Sequence, residues 1–327
     1  MIKGVSCGLL ACALWGLTYL LPVLLPAYDT SYIALARAMI MGVVSLIIWL
    51  SARKQFEALR KLDWVYATRI SVIGNLIQAW FLMLSVQYAG VPIAGICFGG
   101  VPVLVALVSN IREKRRGHPF VPFARLWIPL SAIAVGFVLI NYTELKLFTQ
   151  MHSGSATEFF FGLACGITST LMWTWYPIRN ADWLLAHPEI NPVTWTAAQC
   201  LILLPLSAIV YCIVFIVDDQ MPTLLGPDPL LYLILMILAG VFCSWLATAL
   251  WNVCSANLPT ALVGQLLVFE TIFAVLYGHI QRLQWPSWSM ICGTTLLIIG
   301  ICVALKTFND IHNTESRRDC QARPLEE

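Results

Sequence analysis

The sequence predicts an all-α integral membrane protein of ten transmembrane helices in two inverted five-helix repeats. Three observations carry that prediction. Of 327 residues, 59% are hydrophobic and 11% charged, against roughly 25% charged in soluble domains, and mean hydropathy is +0.80. Ten apolar runs approach or exceed the ~20 residues that a helix needs to cross a hydrocarbon core. The basic residues segregate to one side of those ten runs when both chain ends share that side.

The first run, 4–25, follows only Met1, Ile2 and Lys3 and has no small-x-small cleavage site before Asp29, so it reads as a retained span. Runs 31–51, 64–89, 91–110 and 126–142 complete a first half. Runs 159–178, 192–217, 230–252, 259–279 and 286–305 make the second. The expected organisation is a five-helix repeat over 1–150, a second over 151–305, and a polar, mobile tail over 306–327. Connections are too short for a soluble domain.

Lys and Arg in short loops resist translocation and so mark the cytoplasmic side. With both termini cytoplasmic, fifteen of the 19 Lys and Arg lie there, Lys3, Arg53, Arg60, Arg125 and Arg179 among them. Lys146 and Arg282 lie outside, and Arg37 and Arg69 lie within helices. The net charge of +2 therefore reports topology and not nucleic-acid binding. Arg112, Lys114, Arg115 and Arg116 read as a positive-inside determinant, with anionic lipid headgroups as the alternative.

Enzyme chemistry finds no pattern here. The five histidines, His118, His152, His187, His279 and His312, sit in loops or at helix ends, and no HExxH, Walker or nucleophile-elbow motif occurs. The 11 cysteines contain no CxxC pair and fall mostly within the apolar runs, where thiols act as small hydrophobes. No cofactor and no metal is expected.

The chain repeats itself. An offset of 158 aligns Gly4, Cys7, Gly8 and Trp15 with Gly162, Cys165, Gly166 and Trp173. Five spans per repeat is an odd number, so the second copy enters the membrane from the opposite side, and such folds place their site at the repeat interface.

Helical spacing then selects inward faces. Ser71, Asn75, Gln78 and Ser85 share a stripe in the third run, and Ser244, Thr248, Trp251, Asn252 and Ser255 share one in the eighth. The first run collects Gly8, Cys12, Trp15, Tyr19 and Pro22. The sixth collects Gly166, Thr170, Trp173 and Pro177, with Tyr176 beside them. These four faces are expected to surround a cavity; the competing reading is hydrogen-bonded glue between helices. Gly95, Gly99 and Gly264 permit close helix approach. Pro102 breaks the fourth helix as a hinge or as a static kink.

Glu270 is the single acid inside any of the ten runs. A charge at that depth is by default functional. Two readings stand for it: a free carboxylate that exchanges protons or holds a substrate ammonium, or an ion pair with Arg37 that substrate breaks. Arg37 also has the option of snorkelling to the interface, as Arg69 does more readily. Trp15, Trp80, Trp173, Trp175, Trp245 and Trp251 lie inside spans, where rings suit flat apolar or cationic solutes. Trp127, Trp183, Trp285 and Trp288 sit where an interfacial belt would.

The residues Leu14-Trp15-Gly16, Arg37, Pro102-Val103, Phe269-Glu270 with Ala274 and Gly278, and Gly293 with Leu297 to Gly300 resemble the drug/metabolite transporter superfamily. Their order and the span count match its EamA-type ten-helix bacterial exporters. Thr271 stands where that family usually has proline, and Gln281-Arg282 where it often has an acid. The resemblance implies a multi-pass inner-membrane protein in contact with lipid and alternating access through a central cavity lined by helices one to four and six to nine. Its expected partner is a small-molecule substrate, an amino acid or similar amphipathic metabolite with aromatic amino acids favoured, moved by export. The alternative is a proton-coupled multidrug or organic-cation exporter. The expected substrate-binding set is Trp15, Tyr19, Asn75, Gln78, Trp173, Tyr176, Ser244, Thr248, Trp251, Asn252 and Glu270. Glu270, Arg37 and Pro102 are the expected coupling or gating residues.

Overall fold

The computed structural model describes residues 2–89, 91–115, 122–151, 156–218, 221, 223–258, 260–283, 285, 287–300, 303, 306 and 307. The tail expected to be mobile lies, from residue 308, outside them. Every regular element among the described residues is helical. In chain order these are α1 (Ile2–Leu24), α2 (Thr30–Ser51) and α3 (Lys61–Ser85, running on to Ala89). Then come α4 (Val91–Gly99), α5 (Val101–Arg115), α6 (Phe123–Met151) and α7 (Ala156–Ala186). The chain continues through α8 (Pro192–Val217), α9 (Pro229–Asn257), α10 (Thr260–Leu266), α11 (Val268–Arg282) and α12 (Trp288–Gly300). Among them α1, α2, α3, α8 and α9 are long and apolar enough to cross a membrane. The protein is an all-α integral membrane protein.

Local chemistry sets the ends. The Asp29 carboxylate accepts from Ser31 N at 2.8 Å and caps α2, and Asn191 does the same for α8 through Val193 N, with Pro192 in the first turn. Gly226 adopts φ +74° in the turn before α9, a conformation that favours glycine, and a side chain there would also collide with the Tyr28 ring. That turn holds Tyr28: its hydroxyl donates to Leu225 O and accepts from Asp228 N, each at 2.9 Å. Tyr28 also stacks on Tyr232 with centroids 4.6 Å apart, joining the turn between α1 and α2 to α9.

Two pairs of helices are broken segments of one apolar run. α4 stops at Gly99 and α5 starts at Val101, so the break falls at Gly100 and Pro102 occupies the first turn of α5, where proline is tolerated. α10 stops at Leu266 and α11 starts at Val268. The Leu266 carbonyl freed by this second break accepts from the Cys12 thiol of α1 at 3.2 Å. Broken helices inside a membrane are tolerated where protein or a cavity satisfies the backbone.

The halves interlock reciprocally. α1 packs along α9 and α11, α7 along α3, α2 along α8, and α5 along α10. At Gly264 of α10 a Cβ would approach Val105 to 2.1 Å. At the periphery, Gly136 of α6 lies against Gly293 of α12, and Leu297 joins Ile133 and Phe137 in one cluster. Both α3 and α9 carry a π-helical stretch, Val72–Ile77 and Ala239–Leu246. Such stretches loosen the backbone ladder and recur at functional sites.

Candidate functional site

The interior stripe of α1 is closed along most of its length and open at one level. Gly8, Cys12 and Trp15 are buried, whereas Tyr19, one turn further on, is 48% exposed. Leu10, Leu17 and Leu24, spaced seven apart, mark the outward side of α1. Tyr19 lies on the face of α1 turned away from those leucines and is still accessible, which we read as one wall of a recess.

Four charged or polar groups gather at that level. The Tyr19 hydroxyl donates to Glu270 Oε1 at 3.2 Å. Glu270 lies in the first turn of α11, directly after the break at Leu267, where the helix dipole favours a carboxylate. Arg37 of α2 donates from Nε to Ser244 Oγ at 3.0 Å, and Ser244 belongs to the π-helical stretch of α9. Arg37 and Glu270 act on one another electrostatically. The ion pairs among the described residues are nevertheless Arg60–Asp63 and Arg112–Asp182, so Arg37 and Glu270 stay beyond 4.0 Å.

Below this level an aromatic cluster fills the interior. Trp15 meets Trp251 at a centroid distance of 5.3 Å and Trp173 edge-on at 6.0 Å. Trp173 stacks on Tyr176 at 5.3 Å and on Phe98 at 6.0 Å. Four helices, α1, α4, α7 and α9, thereby contribute rings to one floor, and aromatic pairs of this kind add about 0.5–1.5 kcal/mol each beyond their buried area.

Under the floor lies a closed polar network. Asn180 Oδ1 accepts from Trp195 Nε1 at 2.9 Å and Gln199 Nε2 at 2.6 Å, while its Nδ2 donates to Asn252 Oδ1 at 2.7 Å. Asn252 Nδ2 donates to Thr196 Oγ1 at 2.8 Å, and the Tyr176 hydroxyl donates to Gln199 Oε1 at 3.1 Å. All six residues are buried. Nearby, Arg112 of α5 pairs with Asp182 of α7, and Tyr66 of α3 donates to Arg179 O at 3.3 Å. The Lys3 end of the interior is therefore tied shut by α3, α5, α7, α8 and α9.

The expected site residues thus divide. Tyr19, Glu270, Arg37 and Ser244 meet at the open level. Trp15, Trp173, Trp251 and Tyr176 form the floor. Asn252 is enclosed in the network with its amide satisfied, and Gln78 is buried with Nε2 donating to Ser169 Oγ at 3.0 Å, so neither faces the recess. Thr248 is buried and donates back to Ser244 O. Asn75, in the π-helical stretch of α3, keeps a buried Nδ2 without a partner among the described residues. Gly74 beside it lets α3 approach the Tyr176 ring, where a Cβ would come to 2.4 Å. Arg69 is exposed, its guanidinium 5.9 Å from the Trp175 ring centre.

Asn180, Gln199, Trp195, Thr196 and Phe98 were not expected at the site. Asn180 lies past the end of the apolar run 159–178, yet α7 continues to Ala186. The signal that was available is polar spacing: Tyr176 and Asn180 are four residues apart, on one face. Two recesses lie elsewhere. One of about 380 Å³ opens beside the break at Gly100, between Val103, Phe137 and Thr170, and one of about 290 Å³ lies between Asp29 and Trp80.

Residues 2–142 match the EamA-like transporter family. The chain is 32% identical over 321 residues to inner membrane protein YtfF of Escherichia coli strain K12, covering 97% of this chain and 99% of that protein. A solved protein structure shares the fold with a TM-score of 0.68 at 18% identity, over 93% of this chain and 96% of its own. The resemblance first read from Trp15, Arg37 and Glu270 holds across nearly the whole length, and the chain belongs to the EamA-like transporter family.

Proposed function

We propose that this chain is a secondary carrier of the inner membrane that moves small amphipathic metabolites, amino acids foremost and aromatic ones favoured, by alternating access. The observation that carries the reading is the Tyr19–Glu270 hydrogen bond one helical turn from Trp15, whose ring meets Trp173 and Trp251. Such a site offers a charge for a polar head and rings for an apolar body. The curated relative's name places that protein in the inner membrane. Segregation of the basic residues supports cytoplasmic termini, so the closed Lys3 end faces the cytoplasm and the recess opens outward. Reciprocal packing of α1 on α9 and α7 on α3, with a break in each half, supports two inverted repeats. The direction of net movement is export.

A second reading rests on Glu270 alone. Its carboxylate touches only the Tyr19 hydroxyl among the described residues, which leaves it able to bind a proton in alternation with a cationic solute. That reading makes the chain a proton-coupled exporter of organic cations.

Counterflow in liposomes tests the first reading. Vesicles loaded with unlabelled phenylalanine should take up labelled phenylalanine in a saturable manner, and unlabelled tryptophan should compete. Linear, non-saturable uptake would instead describe a pore, and uptake of organic cations alone would select the second reading.

A further inference from the structure

The Arg37 and Glu270 charges are each held by one neutral hydroxyl and by nothing else among the described residues. Ser244 Oγ takes Arg37 Nε at 3.0 Å, which leaves both terminal nitrogens of the guanidinium unspent. Tyr19 takes Glu270 Oε1, which leaves Oε2 unspent. Opposite charges this near one another attract, yet these two remain beyond 4.0 Å. Each is bonded instead to a neutral hydroxyl, Arg37 to Ser244 and Glu270 to Tyr19. A pair kept separate in this way is costly while empty and satisfied when a ligand carries the complementary charges into the gap.

We propose that Arg37 and Glu270 are the two poles of a zwitterion site, Arg37 receiving the carboxylate and Glu270 the ammonium of an α-amino acid. This rests on the carrier reading above and names how its solute is selected. A guanidinium presents paired N–H donors that match a carboxylate. Trp15 lies one turn from Tyr19 on the same stripe, so the ligand's side chain runs toward the aromatic floor. An amine without a carboxylate leaves Arg37 unmatched, and an acid without an ammonium leaves Glu270 unmatched. Rejection of a ligand that lacks one polar group is strongest where the protein's own group then goes unpaired.

The test compares three ligands of one ring size on the purified, reconstituted full chain: phenylalanine, phenethylamine and 3-phenylpropionate. Wild-type protein should bind phenylalanine about tenfold or more tightly than either analogue. Arg37→Gln should erase the advantage over phenethylamine and keep that over 3-phenylpropionate. Glu270→Gln should do the reverse. Equal wild-type affinity for all three ligands overturns the proposal, as does an equal loss for all three in both variants. Should either variant fail to give monodisperse protein, the wild-type series decides alone. Saturable counterflow of phenylalanine with equal affinity for the three ligands overturns the zwitterion site and leaves the amino-acid carrier reading standing, whereas saturable counterflow of tetraphenylphosphonium without that of phenylalanine overturns the zwitterion site together with that reading and selects the organic-cation exporter. Absence of saturable flux for every solute overturns both.

Discussion

The Tyr19 hydroxyl donates to Glu270 Oε1 at 3.2 Å across 251 positions of sequence, so one charged hydrogen bond ties the end of α1 to the first turn of α11. Removing the hydroxyl while keeping the ring isolates that bond. Hydrogen bonds to charged groups contribute about 1.5–3 kcal/mol. Tyr19→Phe should therefore lower flux at subsaturating solute by about tenfold or more, with little change in melting temperature because Tyr19 is 48% exposed. Wild-type flux in this variant would assign the carboxylate's orientation to α11 alone.

Glu270→Gln separates exchange from coupling. The amide keeps the size and an oxygen that accepts from Tyr19, and it removes the charge and the titration. If the carboxylate carries the coupling proton, flux driven by a pH gradient should vanish in this variant, while counterflow at equal pH is weakened at low solute and recovers when the solute is raised to saturation. The two assays are run on the same vesicles. Equal loss of both would indicate a solute-binding role only, and unchanged gradient-driven flux would remove Glu270 from coupling altogether.

Trp173 is the ring that most others touch, stacking on Tyr176 and Phe98 and meeting Trp15 edge-on. Truncation to alanine in so filled an interior costs about 3–5 kcal/mol of stability, which confounds a binding assay. Trp173→Phe keeps the stack and shortens the floor. It should weaken the affinity for an aromatic solute by roughly three- to tenfold, about the value of one aromatic pair. Trp80, 57% exposed beside the recess near Asp29, is the control. A titration by thermal shift reads both, and equal effects at the two positions would count against an aromatic floor.

Apolar content and length made the helices legible, since a bilayer demands long apolar runs and little else in soluble proteins produces them. The breaks were half legible. Proline announced the one near Gly100, but nothing in Leu266-Leu267-Val268 announces a break, and it is the Cys12 thiol from a distant helix that satisfies the freed carbonyl. Glu270 and Arg37 stood out in the sequence because they are charges in apolar runs, and the structure places them close enough to act on one another. The enclosure of Gln78 and Asn252 was not legible, because an amide that lines a cavity and an amide that closes a network leave the same stripe in sequence. Only the partners distinguish them, and Ser169 and Thr196 lie 91 and 56 positions away.

Asn180 is the hub of that network, and its removal separates architecture from transport. Its carbonyl oxygen serves Trp195 and Gln199, and its amide nitrogen serves Asn252, all buried. Asn180→Ala leaves three buried groups short of a partner, and each unsatisfied group costs about 1–3 kcal/mol. Part of that is recovered if water enters the space, since the site is polar on every side. Asn75 is the informative contrast: its buried Nδ2 lies beside the Tyr176 hydroxyl but makes no well-formed hydrogen bond among the described residues, so Asn75→Ala deletes at most one weak contact. Thermal unfolding in detergent should therefore place Asn180→Ala well below wild type and Asn75→Ala near it or above. If Asn75→Ala instead melts as low as Asn180→Ala, the Asn75 amide is bonded, to the Tyr176 hydroxyl or to a group that the described residues do not supply. A bound solute or ordered water beside Tyr176 is then the group to look for.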